Sequence, residues 1–503
     1  MPAMTSTPHR ALYCNDILEE IFLKLQEQDE DGTRSLGSLA RAAVVCRAFS
    51  SYALDALWAD VDSLKPILRF FRCYDLTNPK TTACMERTID AQSVSRFQEY
   101  AWRIRALHVH SEHDQSARSA FLLALFRHER HSAALFPNLR RLRWQALFLP
   151  DPGLQLVLTP SVRHVELNWD DRDWNERWDA PVDGSAVISQ VLHTMQKELL
   201  DLDELHLSGI CEALTFPTLN HWTHLRAFGS RDLTVDVPNF DVLSQLVNLQ
   251  ELQFSASDEV AHHTVQSGFL SLRSLIISGS SARIALSLPS FRHSPHLHTL
   301  QLHTDWRAPS QVAPHLFQAL SDLRHIEHFL LDAESIGIPS LTDNISPTNT
   351  PSLTDVPGLW RGLKTCTMSI RWPYGQALSL PLELLLAFAR QCPRLEALSL
   401  PPLDFRPVLP PNAPPETAVL SRSLRELNVS NMVDGVQWEW EEALPLFVDR
   451  AFAALDLRRM ARSADRRVEK PSPPFDDKWL RWAAVVEKVK AVRDRRSGGG
   501  AYQ

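Results

Sequence analysis

A chain of 503 residues that is 44% hydrophobic and 22% charged is long enough for several domains or one extended repeat array, and this composition excludes a disordered or coiled-coil polymer. The net charge is −8, and residues 458 to 496 hold 13 Lys or Arg against 6 Asp or Glu, so the remainder stands at −15 and would repel a phosphate backbone; nucleic acid is not an expected partner. No apolar run nears the roughly 18 residues of a bilayer span, no leader-like start is evident, and seven cysteines without a CxxC pair fit a reducing compartment, so a soluble protein of cytoplasm and/or nucleus is expected.

From the N-terminus, residues 11 to 25 place Leu12, Ile17, Leu18, Ile21, Phe22 and Leu25 at the spacing of an amphipathic helix, with Asn15 or Asp16 able to cap its start. A polar break, QEQDEDGTRS, precedes a second helical stretch whose apolar positions include Leu39, Val44, Val45, Cys46, Phe49, Leu54, Leu57 and Trp58. Such a pair reads either as a helical cap on the next domain or as a docking module, because a unit of about 50 residues does not bury all this apolar surface alone.

The order of features, DILEEIF, a polar loop, LARAAVVCRAF and a closing LW, resembles the F-box over residues 11 to about 62. The match departs from the usual Leu-Pro opening, since Leu12 is followed by Tyr13 and Cys14. The resemblance implies a surface for the Skp-type adaptor of a cullin ubiquitin ligase, formed by Leu12, Ile17, Leu18, Ile21, Phe22, Leu25, Val44, Val45, Cys46 and Trp58.

After a helical linker over 63 to 100, one phrase recurs: apolar, two spacers, apolar, one spacer, apolar. Examples are Leu139, Leu142, Trp144; Leu202, Leu205, Leu207; Leu272, Leu275, Ile277; and Leu424, Leu427, Val429, with weaker copies beginning at Ile104, Leu225, Leu323 and Leu363. Starts at 202, 225, 249, 272 and 297 lie 23 to 25 residues apart, within the range of leucine-rich repeats. Each closing apolar-x-apolar pair predicts a strand, and stretches such as FDVLSQLVN and LELLLAFARQ predict helices between strands. The expected fold is α/β: an N-terminal helical F-box, an irregular leucine-rich-repeat solenoid or horseshoe over 101 to 435, and a C-terminal helical cap and basic tail over 436 to 503. An ordinary α/β domain with leucine-rich strands is the alternative. The regular asparagine of such repeats is missing, with residues such as Ile210, Ser257 and Met432 in its place.

Strand alternation turns Glu204, His206, Glu251, Gln253, Gln301, His303 and Asn428 outward, either as a target-binding face or as plain solvated surface. The interval NWDDRDWNERWDAPVDG adds Trp169, Trp174 and Trp178 among Asp170, Asp171 and Asp173, either anchors for a basic partner or rings folded back over the repeats. Residues 332 to 358, rich in Ser, Thr, Pro and Asp, read as a mobile loop carrying Ser346-Pro347 and Thr350-Pro351. FDDKWLRWAAVVEKVKAVRDRR predicts a helix with Trp479, Trp482, Val486 and Val489 on one stripe, closing the array.

No phosphate loop, GxSxG elbow, HExxH or GxGxxG is found, so neither catalysis, nor a cofactor, nor a metal is expected. The family resemblance, closest in style to fungal F-box proteins with such repeats, implies a substrate receptor: adaptor and cullin at one end, an unknown target protein at the other, no membrane. A non-catalytic repeat scaffold that binds no adaptor is the second reading.

Overall fold

The computed structural model describes residues 14–26, 36–71, 89–110, 115–128, 134–146, 151–169, 184–209, 219–263, 265, 267–304, 313–334, 356–371, 380–401, 403–404, 421–429, 440–460 and 476–498. The chain divides into two compact units, Met1–Leu233 and Thr234–Gln503.

The first unit opens with helices α1 (Asn15–Gln26), α2 (Leu36–Ala43) and α3 (Arg47–Ala59), the last running straight into strand β1 (Asp60–Val61). The pattern predicts α2 and α3 as one helix, and the structure corrects this. Val44 and Val45 donate their amides to the carbonyls three residues back, Arg41 and Ala42, which tightens the turn. Cys46 is then extended, at φ −158° and ψ 163°, and opens α3 from the N-cap position. Two adjacent β-branched residues resist helix continuation through their stiff side chains, and here they form the corner.

Strands β2 (Ala106–Val109), β3 (Arg141–Ala146), β4 (His164–Trp169), β5 (Glu204–Ser208) and β6 (Ala227–Thr234) follow, all parallel and neighbours in chain order. Helix α4 (Ala91–Ala101) precedes β2 in sequence, and α5 (Gln115–His128), α6 (Pro152–Val157) and α7 (Gly184–Glu198) lie between the strands that follow. In the second unit α8 (Val237–Gln245) precedes β7 (Glu251–Ser255), β8 (Ser274–Gly279), β9 (Thr299–Thr304), β10 (His328–Glu334), β11 (Thr365–Arg371), β12 (Ala397–Leu400) and β13 (Glu426–Val429), again parallel and in chain order.

The register shows why the phrase recurs. Leu142, Val165, Leu205 and Phe228 pair in one row of the first unit. Leu252, Leu275, Leu300 and Phe329 begin the matching row of the second, continued by Cys366, Leu398 and Leu427. Every one of these side chains is buried, so each repeat covers the apolar face of the next. Both units are built of leucine-rich repeats.

A backbone device accompanies the stacking: two consecutive amides of one repeat donate to a single carbonyl of the repeat before. Arg140 and Arg141 share the Arg105 carbonyl, Arg163 and His164 share that of Arg140, and Glu327 and His328 share that of His298. A carbonyl has two lone pairs, so one peptide group satisfies both donors at each strand entrance.

One repeat is shifted from its sequence reading. Spacing places a copy at Leu323, yet Phe329 pairs with Leu300, which makes Ile326, Phe329 and Leu331 the true phrase. Leu323 is buried ahead of the strand, where its carbonyl accepts from the Trp360 indole. Apolar residues at both 323 and 326 allow two frames, and strand pairing selects one.

The second unit packs its aromatic core from Phe240, Phe254, Phe269 and Phe291, the closest rings, Phe269 and Phe291, having centroids 4.7 Å apart. Helix α9 (Leu382–Gln391) falls where LELLLAFARQ predicts it. Helices α10 (Trp440–Ala451) and α11 (Asp476–Gly498) pack together at the end of the array. Trp482, Val485, Val486 and Val489 of α11 are buried, and the Trp482 indole donates to the Leu427 carbonyl of β13 at 3.3 Å. Arg493 and Arg496 both reach the buried Asp449, at 2.8 and 2.5 Å. The C-terminal helix thus covers the last repeat, as its stripe predicts; the side chain of Trp479 lies outside the described residues.

The cysteines divide by exposure. Cys366 and Cys392 are buried, and burial pushes both thiols up, Cys392 to about 12, whereas Cys46 lies open on the N-terminal module. Since thiolate is the reactive form, iodoacetamide is expected to alkylate Cys46 in the native chain and to spare Cys366 and Cys392 until denaturant is added. Peptide mass spectrometry after timed labelling checks this; equal rates at Cys46 and Cys392 would contradict the packing.

Candidate protein-interaction site

Helix α1 splits its apolar residues between two faces. Leu18 and Phe22, one turn apart, close with Leu39, Ala53 and Ala56 into a small core rimmed by Phe49 and Tyr52, and the Phe22 ring meets Phe49 edge-on at 5.7 Å. On the other face Ile17 and Ile21 are 41% and 42% exposed, with Leu23 and Leu25 also in solvent. At the corner between α2 and α3, Val44 and Val45 are 83% and 67% exposed.

Three expected partner contacts are therefore corrected. Leu18 and Phe22 belong to the module's own core, and the half-buried Trp58 packs in tilted contact with Phe70 and Tyr100, at ring centroid distances of 5.5 and 5.0 Å. The helical period marks both faces of α1 as apolar and does not say which one meets α3. Ile17, Ile21, Leu25, Val44, Val45 and Cys46 stand outside, while Leu12 lies outside the described residues. A charge at Phe22 is accordingly a folding mutation. Phe22→Asp is expected to remove about 3–5 kcal/mol from the module, visible as lost helical circular dichroism; retained helicity would show that the core does not depend on this ring.

Along the repeat strands, alternate side chains leave the core and the register stacks them in rows. In the first unit Arg141, His164 and Glu204 form one row, with His164 and Glu204 3.3 Å apart, and Arg143, Glu166 and His206 form the next, with an Arg143–Glu166 pair at 2.7 Å. In the second unit the rows begin Glu251, Ser274, Thr299 and Gln253, Ile276, Gln301, and Asn428 donates to Glu426 at 3.0 Å.

Charged and imidazole side chains cluster at the entrances of β9 to β11 and along β9 and β10. Lys364 bonds Glu327 at 2.6 Å and holds that carboxyl below its usual range. His298 is pulled below the usual imidazole value by partial burial, opposed by the nearby Glu327 charge. Hydroxyls of Thr299 and Thr365 meet the Nδ1 atoms of His298 and His328 at 3.0 and 2.9 Å, and His303 lies 3.8 Å from Asp332.

The expected outward positions Glu204, His206, Glu251, Gln253, Gln301, His303 and Asn428 all lie on these rows, outside the buried stripe. Trp169 does not sit in a loop: it ends β4 and is buried, because strand pairing extends to its register with Ala146. Asp170, Asp171, Asp173, Trp174, Trp178, Ser346 and Thr350 lie outside the described residues. Among the described residues, Asp60, Asp62 and His108 bring three ligand-type atoms within 4.8 Å, and Asp60 already meets His108 at 3.2 Å.

Spacing does not single out Arg105, Arg140 and Arg141, which the strand entrances bring together. Arg105 and Arg140 are 35 residues apart in sequence. The amides of Arg140 and Arg141 nonetheless bond the Arg105 carbonyl at 2.8 and 2.9 Å, and all three side chains are exposed. The sequence signal is an arginine recurring directly after the opening apolar residue of successive phrases, as at Ile104-Arg105, Leu139-Arg140 and Val162-Arg163.

No family model and no curated protein matches this sequence. Among solved structures it is similar to the PEPR1–AtPEP1 complex, at 13% identity and TM-score 0.22, over 59% of this chain and 43% of that one. It is also similar to the leucine-rich-repeat ectodomain of the plant membrane receptor kinase GASSHO1/SCHENGEN3 from Arabidopsis thaliana, in complex with Casparian strip integrity factor 2. That likeness is 10% identical with TM-score 0.18, over 67% of this chain and 44% of that one. The chain spans less than half the length of either. The repeat assignment rests on strand register, not on these likenesses.

Proposed function

We propose that this chain is the target-recognition subunit of a Skp-cullin-F-box ubiquitin ligase, a non-catalytic receptor of the cytoplasm and/or nucleus. What carries the reading is the apolar set Ile17, Ile21, Val44 and Val45, held in solvent on a module that already has a core of its own. Exposed aliphatic side chains in such number mark a surface that a partner covers. Together with the F-box-like order of residues 11 to 62, they fit the adaptor.

The receptor itself does no chemistry. Its contribution is proximity: a target held on the repeats is presented at high effective concentration to a ubiquitin-conjugating enzyme brought by the cullin. Outward rows of Glu, Gln, Ser, Thr and His offer the hydrogen bonds and charges from which protein recognition is assembled. No helix among the described residues is long and apolar enough to cross a membrane.

A second reading, a repeat scaffold whose N-terminal helices bind no adaptor, is favoured by one observation: α3 passes directly into β1, which pairs with β2. The module thus also serves as a cap on the first repeat. Size-exclusion chromatography of the full chain with purified Skp-type adaptor separates the two readings, since co-elution is expected of the receptor and independent elution of the scaffold.

A further inference from the structure

We propose that Asp60, Asp62 and His108 bind a divalent transition-metal ion that clips the N-terminal helical module to the first repeats. The site is separate from the receptor role above, which needs no metal.

Its geometry follows from the pairing of β1 with β2. Val61 and Leu107 stand opposite each other in register and are both buried. Strand alternation therefore sends their neighbours Asp60, Asp62 and His108 to the outward face. There one ligand-type atom of each lies within 4.8 Å of the other two. Atoms that share an ion through bonds of about 2.1 Å stand about 3 to 4.2 Å apart, so small side-chain rotations complete the set. The His108 Nε2 already faces the carboxylates, 3.2 Å from Asp60.

Imidazole–carboxylate pairs recur in this chain without a third donor. His263 meets Asp241 at 2.7 Å, His164 meets Glu204 at 3.3 Å, and His303 meets Asp332 at 3.8 Å. Among the described residues only Asp60, Asp62 and His108 converge as three. A hydrogen bond serves a pair, but a second carboxylate beside the first adds repulsion, which a divalent ion turns into attraction. The surroundings do not oppose a cation. Arg143, opposite His108 in register, is held by Glu166 at 2.7 Å. The cleft beside Asp60 is lined by Glu19, Asp55 and Asp60 against Arg105 and Arg141. Two carboxylates with one imidazole suit Mn²⁺, Fe²⁺, Co²⁺ or Zn²⁺ better than Ca²⁺, which takes oxygen ligands and more of them.

The position gives the ion a structural task. Strand β1 is two residues long and pairs with β2 at two positions, directly after α3 ends. An ion ligated from both strands holds this short junction together.

The test titrates the full chain with Mn²⁺ and follows the free ion by electron paramagnetic resonance. A leading site of about one equivalent is expected, with affinity falling about tenfold or more in Asp62→Asn and in His108→Gln, which remove ligands from different strands. A His303→Gln control, from a pair with no third donor, is expected to bind as wild type. Hydrogen exchange read by mass spectrometry should slow across residues 60–62 and 106–109 when Mn²⁺ is added to wild type, and should not change in either variant. The proposal is overturned if wild type takes up no Mn²⁺, if both variants bind as wild type does, or if Ca²⁺ competes as strongly as Mn²⁺. Asp62 is exposed, so Asp62→Asn carries the test alone if His108→Gln does not fold.

Discussion

Asp151→Ala is expected to destabilise the first unit by about 3–5 kcal/mol, because it strands a buried guanidinium. Arg118 and Asp151 are each only 1% exposed and bond at 2.6 Å. Around them most buried polar atoms are matched, the Arg118 Nε excepted. Asp151 also accepts from Ser119 at 2.7 Å, from the Gly153 amide at 3.0 Å and from the Trp144 indole at 3.0 Å. The guanidinium reaches the carbonyls of His110 and Gln145 and lies 4.7 Å over the Trp144 ring. Removing the carboxylate leaves a cation with no counter-charge in a site closed to water, and also removes the cap of α6, which begins at Pro152. The double variant Arg118→Met, Asp151→Leu is expected to recover part of the loss, since it removes the stranded cation, while the Ser119 hydroxyl, the Gly153 amide and the Trp144 indole still lose their acceptor. Urea unfolding of the three chains checks this. A single variant as stable as wild type, or a double variant worse than the single, would mean that the ion pair is not the cause.

The second large effect concerns binding and not folding. Ile21→Asp combined with Val45→Asp is expected to weaken adaptor binding about 100-fold or more, because buried apolar anchors at a protein interface commonly carry about 2 kcal/mol each and a charge placed there adds desolvation. Both side chains are substantially exposed, at 42% and 67%, so the melting temperature is expected to stay put. That contrast separates them from Phe22, whose ring faces the module's own core. Isothermal titration with the purified adaptor, beside differential scanning calorimetry, reads the two quantities independently. A wild-type chain that releases no heat with the adaptor removes the ligase reading, and unchanged affinity in the double variant moves the docking surface elsewhere.

By itself the sequence determined the repeating unit. The phrase of three apolar residues recurs because each strand must bury the same stripe against its neighbour, and period-two strands with helical spacing between them are legible wherever that stripe is regular. The helices at Val237–Gln245, Leu382–Gln391 and Asp476–Gly498 were equally legible, since one face of each is apolar. It could not decide between equivalent frames, as at Leu323 and Ile326, where hydrogen-bonded pairing with Leu300 makes the choice. Nor could it say which face of α1 turns inward, because Ile17 and Leu18 are alike in hydropathy and only the position of α3 distinguishes them. The arginines at 105, 140 and 141 belong to the same class: they are written in the sequence, but the meeting of the Arg140 and Arg141 amides on the Arg105 carbonyl follows from stacking one repeat on the next. Local pattern fixes what each segment becomes, while long-range pairing fixes which side chains share a surface.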